Sequence, residues 1–204
     1  MSEIRRPSAG SILIVCTGNV CRSPYTERRL RQELDDTQIG VASAGTGALV
    51  GRPIEPMAAE RLQAAGGDPA GFEARDLTAQ MIRAADLVLC ATREHRAAVV
   101  RMEPKGLRRA FALLDFADLA EHMPPGPPER SFLEPPDANF VQRVVAAAEL
   151  HRDDVHARLD GDADIIDPFH RGEREFDKMV QQIEAALVPI VEVLRTVGTP
   201  SFAE

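Results

Sequence analysis

Ile12-Leu13-Ile14-Val15 runs without a polar residue into Cys16-Thr17-Gly18-Asn19-Val20-Cys21-Arg22-Ser23-Pro24, and that junction constrains the fold more than any other stretch of the 204 residues. A short unbroken apolar run reads as a buried strand. Pro24 then falls in the first turn of a following helix, where its missing N–H costs nothing. The residues between Cys16 and Arg22 must therefore close a tight strand-to-helix loop, and Gly18 and Asn19 tolerate the left-handed backbone such a loop needs. Further along, apolar runs and helical patterns alternate. Strands are expected over 12–16, 39–43, Leu87–Cys90 and 110–114, and helices over 24–35 (Tyr25, Leu30 and Leu34 inward), 53–65 and from Cys90 to about Met102. A last helix carries Phe176, Met179, Val180, Ile183, Leu187, Ile190, Val191 and Leu194 on one face, with Pro189 as a bend. This alternation implies right-handed crossovers, hence an α/β fold: a doubly wound four-stranded parallel sheet flanked by helices, with an anion-binding loop after the first strand at the sheet's C-terminal edge.

The chemistry of that loop follows from its spacing. Successive backbone N–H groups of a tightly curled loop converge on one point and cradle a tetrahedral oxyanion, and Arg22 closes the ring with a planar fork matched to two phosphoryl oxygens. Near a helix N-terminus and a fixed cation, Cys16 favours the thiolate. Ser23 can donate a hydrogen bond to that sulfur. A buried cysteine is also an ordinary core residue, so the pair alone decides little; the strand before it and Arg-Ser-Pro after it supply the context that a nucleophile requires. An alkoxide or phenoxide leaves poorly near neutral pH, and a positioned carboxylic acid speeds that step by about 10²–10⁴-fold. Asp167, in Ile165-Ile166-Asp167-Pro168-Phe169, is the candidate. Its apolar neighbours favour the protonated acid, although Asp-Pro is also a common turn opener.

The stretch 15–24 resembles the low-molecular-weight protein tyrosine phosphatase family nearly residue for residue. The likeness continues in Ser43-Ala44-Gly45-Thr46, Ala74-Arg75, Ala85-Asp86-Leu87-Val88-Leu89-Cys90 and Asp167-Pro168-Phe169, in family order from about residue 11 onward. The resemblance implies a cofactor-free, metal-free phosphomonoester hydrolase that dephosphorylates phosphotyrosine in proteins through a cysteinyl-phosphate intermediate. It implies Cys16 as nucleophile, Arg22 as phosphate clamp and Asp167 as acid, with Thr17, Gly18, Asn19, Val20, Cys21, Ser23, Ser43 and Phe169 around the substrate. Within that set Ser23 would assist the sulfur, and Asn19 and Ser43 would brace the loop. The expected partner is a phosphorylated protein or a small aryl phosphate, and the expected assembly a monomer or weak homodimer.

Three rival readings stay open at this level. One branch of the family removes phosphate from protein arginine and carries threonine where this chain has Val20; the single Phe169, followed by His170-Arg171 instead of a second aromatic, leaves that branch in play. Arsenate reductases built on the same loop relay oxidation through further cysteines, typically a pair after the third strand, and no second cysteine follows Cys90. A catalytically idle phosphopeptide-binding module would not need Asp167. Phe72 also stands where many family members have a histidine that supports the loop. Cys21 is either a packing residue or a disulfide partner that would protect oxidised Cys16.

The whole chain is consistent with a cytoplasmic enzyme. No apolar stretch reaches the roughly 18 residues of a membrane span, and three cysteines without zinc-ligand spacing argue for reduced thiols. A formal net charge of −8 argues against nucleic acid or an anionic membrane as partner. The expected organisation is a flexible tail over 1–10 and one domain over 11–204, with an insertion at about 121–163. That insertion joins a proline-rich stretch to an amphipathic pattern of Phe140, Val141, Val144, Val145, Ala148 and Leu150; it would either cover or widen the pocket or form a surface appendage. The run Asp160-Gly161-Asp162-Ala163-Asp164 begins like a calcium loop, but Ile165 and Arg171 stand where glycine and glutamate are required.

Overall fold

The computed structural model describes residues 9–124, 135–152, 158–159 and 161–195. Among them four parallel strands, β1 (Gly10–Cys16), β2 (Ile39–Gly45), β3 (Leu87–Cys90) and β4 (Ala110–Ala112), lie in the order β2-β1-β3-β4. From β1 the chain crosses to β2 on one side and later to β3 on the other, so the strand order reverses at β1. Crevices for ligands open outside the carboxyl ends of strands at such a reversal. Cys16 is the last residue of β1, paired with Gly45 of β2.

The unbroken apolar run is explained by cover on both faces. Ile12 and Ile14 point into one buried cluster, while Leu13 and Val15 point into another. Strands buried on both faces lose the polar alternation of a half-exposed sheet, and each buried aliphatic side chain stabilises by about 1.5–3 kcal/mol. The larger cluster is roofed by α1 (Arg22–Glu33), α2 (Pro56–Ala64), α5 (Leu113–His122), α6 (Phe140–Leu150) and α7 (Glu173–Arg195); α3 (Ala79–Ala84) and α4 (Arg93–Met102) close the other face. Tyr25, Leu30 and Leu34 are buried as expected, as are Phe176, Met179, Ile183, Leu187, Ile190 and Leu194 of α7. The Tyr25 hydroxyl donates to Glu184 at 2.8 Å, and Arg29 grips the same carboxylate, which locks α7 onto α1.

Several boundaries differ from the sequence reading: β2 runs on from 43 to Gly45, and α1 spans Arg22–Glu33 instead of 24–35. Ala9 and Gly10, assigned to a tail, are ordered: Gly10 opens β1, and the Ala9 carbonyl accepts from Val141 N–H. The second helix begins at Pro56 instead of Pro53, because the Glu55 carboxylate caps it by accepting from the Met57 and Ala58 amides. The fourth strand stops at Ala112, and 113–114 open α5. Leu113, Phe116, Ala117 and Ala120 recur at helical spacing, but no turn residue separates them from the strand, so the two periods merge in the sequence. The short helix α3, capped by Thr78, carries too little periodicity to be read in advance.

The amphipathic pattern of the insertion is α6, opened by an Asn139/Gln142 capping box. Gln142 Nε2 donates to Asp86 Oδ1 at 2.8 Å, and Asp86 Oδ2 accepts from Ser11 N–H at 2.9 Å. Helix α6 therefore sits against the start of β1 and β3, the end of the sheet opposite Cys16. Phe140, Val141, Val144, Val145 and Ala148 enter the main core. Residues 125–134, which hold most of the proline-rich stretch, lie outside the described residues, as do 1–8.

Candidate active site

The loop after β1 is shaped by its carbonyls. Those of Cys16, Thr17, Gly18 and Val20 accept from the amides of Thr46, Gly47, Leu49 and Glu55 at 2.8–3.1 Å. In a trans peptide C=O and N–H point in opposite directions, so the amides of Thr17, Gly18, Asn19 and Cys21 face the other way, into the cup. This requires the chain after β2 to run very close. A Cβ at Gly45 would collide with the Thr17 carbonyl oxygen. Asn19 takes a φ of 54°, the left-handed turn the loop needs.

The thiol lies at the base of a directed hydrogen-bond chain. Asn19 Nδ2 donates to Ser23 Oγ at 2.9 Å and to Ser43 Oγ at 2.8 Å, and its Oδ1 accepts from Arg75 N–H. Ser43 spends its proton on Glu27 Oε2 at 2.6 Å, and Glu27 is buried and ion-paired with Arg31 at 2.8 Å. Ser23 Oγ accepts from Asn19, which leaves its proton for Cys16 Sγ at 2.9 Å. That arrangement allows the hydroxyl to donate to a thiolate at this position. Cys21 and Cys90 differ: burial above all holds both thiols well above their ordinary value, with Cys16 adding to the effect at Cys21.

Arg22, the first residue of α1, brings its guanidinium to the same cup. Nη2 meets Asp167 Oδ2 at 2.7 Å, and Nη1 donates to the Ile165 carbonyl. The Asp167 side chain is 47% exposed and ion-paired, so it does not sit in the apolar surroundings that its sequence neighbours suggest. Its loop is held from two sides. Arg93 N–H donates to Asp164 Oδ1 and Ile165 N–H to the Ala91 carbonyl, both at 2.8 Å, while Gln182 of α7 accepts from Ile166 N–H and donates to the Asp164 carbonyl.

Cys16, Thr17, Gly18, Val20, Cys21, Arg22, Asp167 and Phe169 line one cavity of about 140 Å³. Asn19, Ser23 and Ser43 stand behind it as buried support. The His170 ring lies 3.9 Å from that of Phe169, in place of a second aromatic. A second cavity of about 400 Å³ adjoins, sharing Val20, Leu49 and Phe169 and adding Ile54, Met57 and Arg52. Phe72 is buried with Arg28 stacked over it and takes no part in the hydrogen bonds around the thiol. Sequence reasoning missed Glu27, Leu49, His95 and Gln182. Only Glu27 left a signal, a glutamate four residues before an arginine on a face otherwise buried.

The family model described as low molecular weight phosphotyrosine protein phosphatase matches residues 11–125. The low molecular weight protein-tyrosine-phosphatase Etp of Escherichia coli K12 is 44% identical over 95 residues, which is 47% of this chain and 63% of Etp. The match thus spans less than two thirds of that relative. Wzb of Salmonella typhi is 38% identical over 113 residues, 55% of this chain and 74% of Wzb. Among solved structures, the Erwinia amylovora tyrosine phosphatase amsI superposes with a TM-score of 0.62 at 24% identity, over 89% of this chain and 91% of its own. The YwlE arginine phosphatase of Geobacillus stearothermophilus gives 0.65 at 23%, over 92% and 94%. These likenesses carry the fold; Asp167 lies beyond the family match and rests on geometry.

Proposed function

Starting from a chain that belongs to the low molecular weight phosphotyrosine protein phosphatase family, we propose that it hydrolyses phosphomonoesters, phosphotyrosine in proteins foremost, through a phosphate carried on Cys16. The observation that supports this best is the convergence of the Cys16 sulfur with Ser23 beside it, an inward ring of amides, the Arg22 fork and the Asp167 carboxyl on one cavity. In the first step the amides and Arg22 hold the phosphoryl oxygens, the Cys16 thiolate attacks phosphorus, and the P–O bond to the leaving group breaks as Asp167 delivers its proton. In the second, Asp167 as carboxylate takes a proton from water, the water oxygen bonds to phosphorus, and the sulfur leaves as a thiolate that Ser23 stabilises. Val20, Leu49 and Phe169 form apolar walls suited to an aromatic ring, which favours phosphotyrosine over phosphoarginine.

Cys16→Ser should abolish turnover of p-nitrophenyl phosphate while orthovanadate still binds. Unchanged turnover contradicts the assignment. Side-by-side turnover of phosphotyrosine and phosphoarginine peptides decides the substrate, and a preference for the arginine peptide would reverse it. No helix among the described residues is long and apolar enough to cross a membrane. We place the enzyme in the cytoplasm on its three cysteines, all of them free.

A further inference from the structure

His95 is the one histidine that reaches the phosphate-binding loop among the described residues, and nothing in the chemistry above uses it. It is 7% exposed, in the first turn of α4. Its Nδ1 lies 2.7 Å from Thr92 Oγ1 and its Nε2 lies 2.8 Å from Thr17 Oγ1. Thr92 Oγ1 already accepts the His95 backbone N–H as the helix cap, so its own proton is free to go to Nδ1. In the tautomer that uses that proton, Nε2–H donates to Thr17, whose oxygen also receives Arg22 Nη2 at 3.5 Å. With both acceptor sites of Thr17 filled, its hydroxyl proton is left for the cavity that Thr17 lines. Burial, aided by the Arg22 guanidinium, lowers the His95 pKa to about 4, so the ring is neutral at neutral pH and this donor–acceptor pattern persists.

We propose that His95 is a positioning residue for phosphoryl binding: it orients Thr17 so that the threonine hydroxyl, in addition to the loop amides and Arg22, donates to a bound phosphoryl oxygen. The inference rests on the phosphate-binding reading of the site. It gives the side chain of Thr17 a role distinct from that of its backbone.

The experiment measures the dissociation constant of inorganic phosphate by calorimetry, with KM and kcat for p-nitrophenyl phosphate alongside, for the full chain. Thr17→Val and His95→Phe should each weaken phosphate binding about tenfold, the weight of one hydrogen bond to a charged group. The double variant should be no weaker than either single, because both remove the same donor. Thr17→Ser should restore affinity. His95→Gln, whose amide reaches the place of Nε2, should bind phosphate close to wild type, whereas the shorter His95→Asn should not. Multiplying losses in the double variant, wild-type affinity in Thr17→Val, or equal losses in folded His95→Gln and His95→Asn would each overturn the proposal. Should His95→Phe fail to fold, Thr17→Val and the glutamine and asparagine pair decide it. Wild-type enzyme that binds phosphate yet leaves the ester intact would count against the phosphatase reading alone.

Discussion

At the residue level, function depends on where single protons are placed. Asn19 fills one acceptor site of Ser23, whose proton can then go to the sulfur, and Asn19 is fixed in turn by Ser43 and Arg75. His95 shows the same economy with a measurable consequence. The unfolded histidine titrates near 6.5 and the folded ring near 4. As pH falls the unfolded chain takes up the proton first, so the stability that neutral His95 contributes is complete above 6.5 and drains between 6.5 and 4. Arg22 opposes protonation, whereas Glu94, Asp164 and Asp167 favour it; burial outweighs all three. Urea unfolding at pH 6.5 and pH 5 should show a loss of about 2 kcal/mol in the wild type that His95→Gln does not share. An equal loss in both would place the titration elsewhere. Cys16, Arg22 and Ser23 were legible because their partners lie within one loop. His95 was not, since 78 residues separate it from Thr17 and no motif announces the pairing.

At the level of elements, β1 and α1 present Cys16 and Arg22, while α7 holds the loop that carries Asp167. Gln182 grips the backbone on both sides of Ile165, accepting from Ile166 N–H at 2.9 Å and donating to the Asp164 carbonyl. Gln182→Ala removes that grip without touching the cavity. Turnover of an alkyl phosphate, which needs the proton, should fall about tenfold, while an activated aryl phosphate with a good leaving group should change little. Equal effects on both substrates would deny the loop's role in proton delivery. The strands and most helices could be read from periodicity, and Leu87–Cys90 matched without change. Periodicity failed where elements abut without a turn, as at Ala112 and Leu113, and where a cap outweighs a proline, as at Glu55 and Pro53.

Across the whole molecule, the site and helix α6 occupy opposite ends of one sheet. Helix α6 buries Phe140, Val141 and Val144 in the core beneath β1 and β3, and its described contacts serve stability and not access to the cavity. Phe140→Ala should cost about 3–5 kcal/mol in unfolding free energy yet leave kcat/KM per folded molecule unchanged; a selective loss of kcat/KM in a stable variant would tie α6 to the site. The −8 net charge fits the same division, since the cup works through local amides and Arg22 against an overall negative field. Every part of this arrangement serves the claim that phosphate passes through Cys16. Asp167→Ala slows both proton transfers and so lets the covalent species accumulate when a good leaving group drives the first step. Mass spectrometry of that variant, acid-quenched during turnover of an activated aryl phosphate, should find phosphate on the peptide bearing Cys16. Product release with no phosphate on Cys16, or phosphate on any other residue, would contradict it.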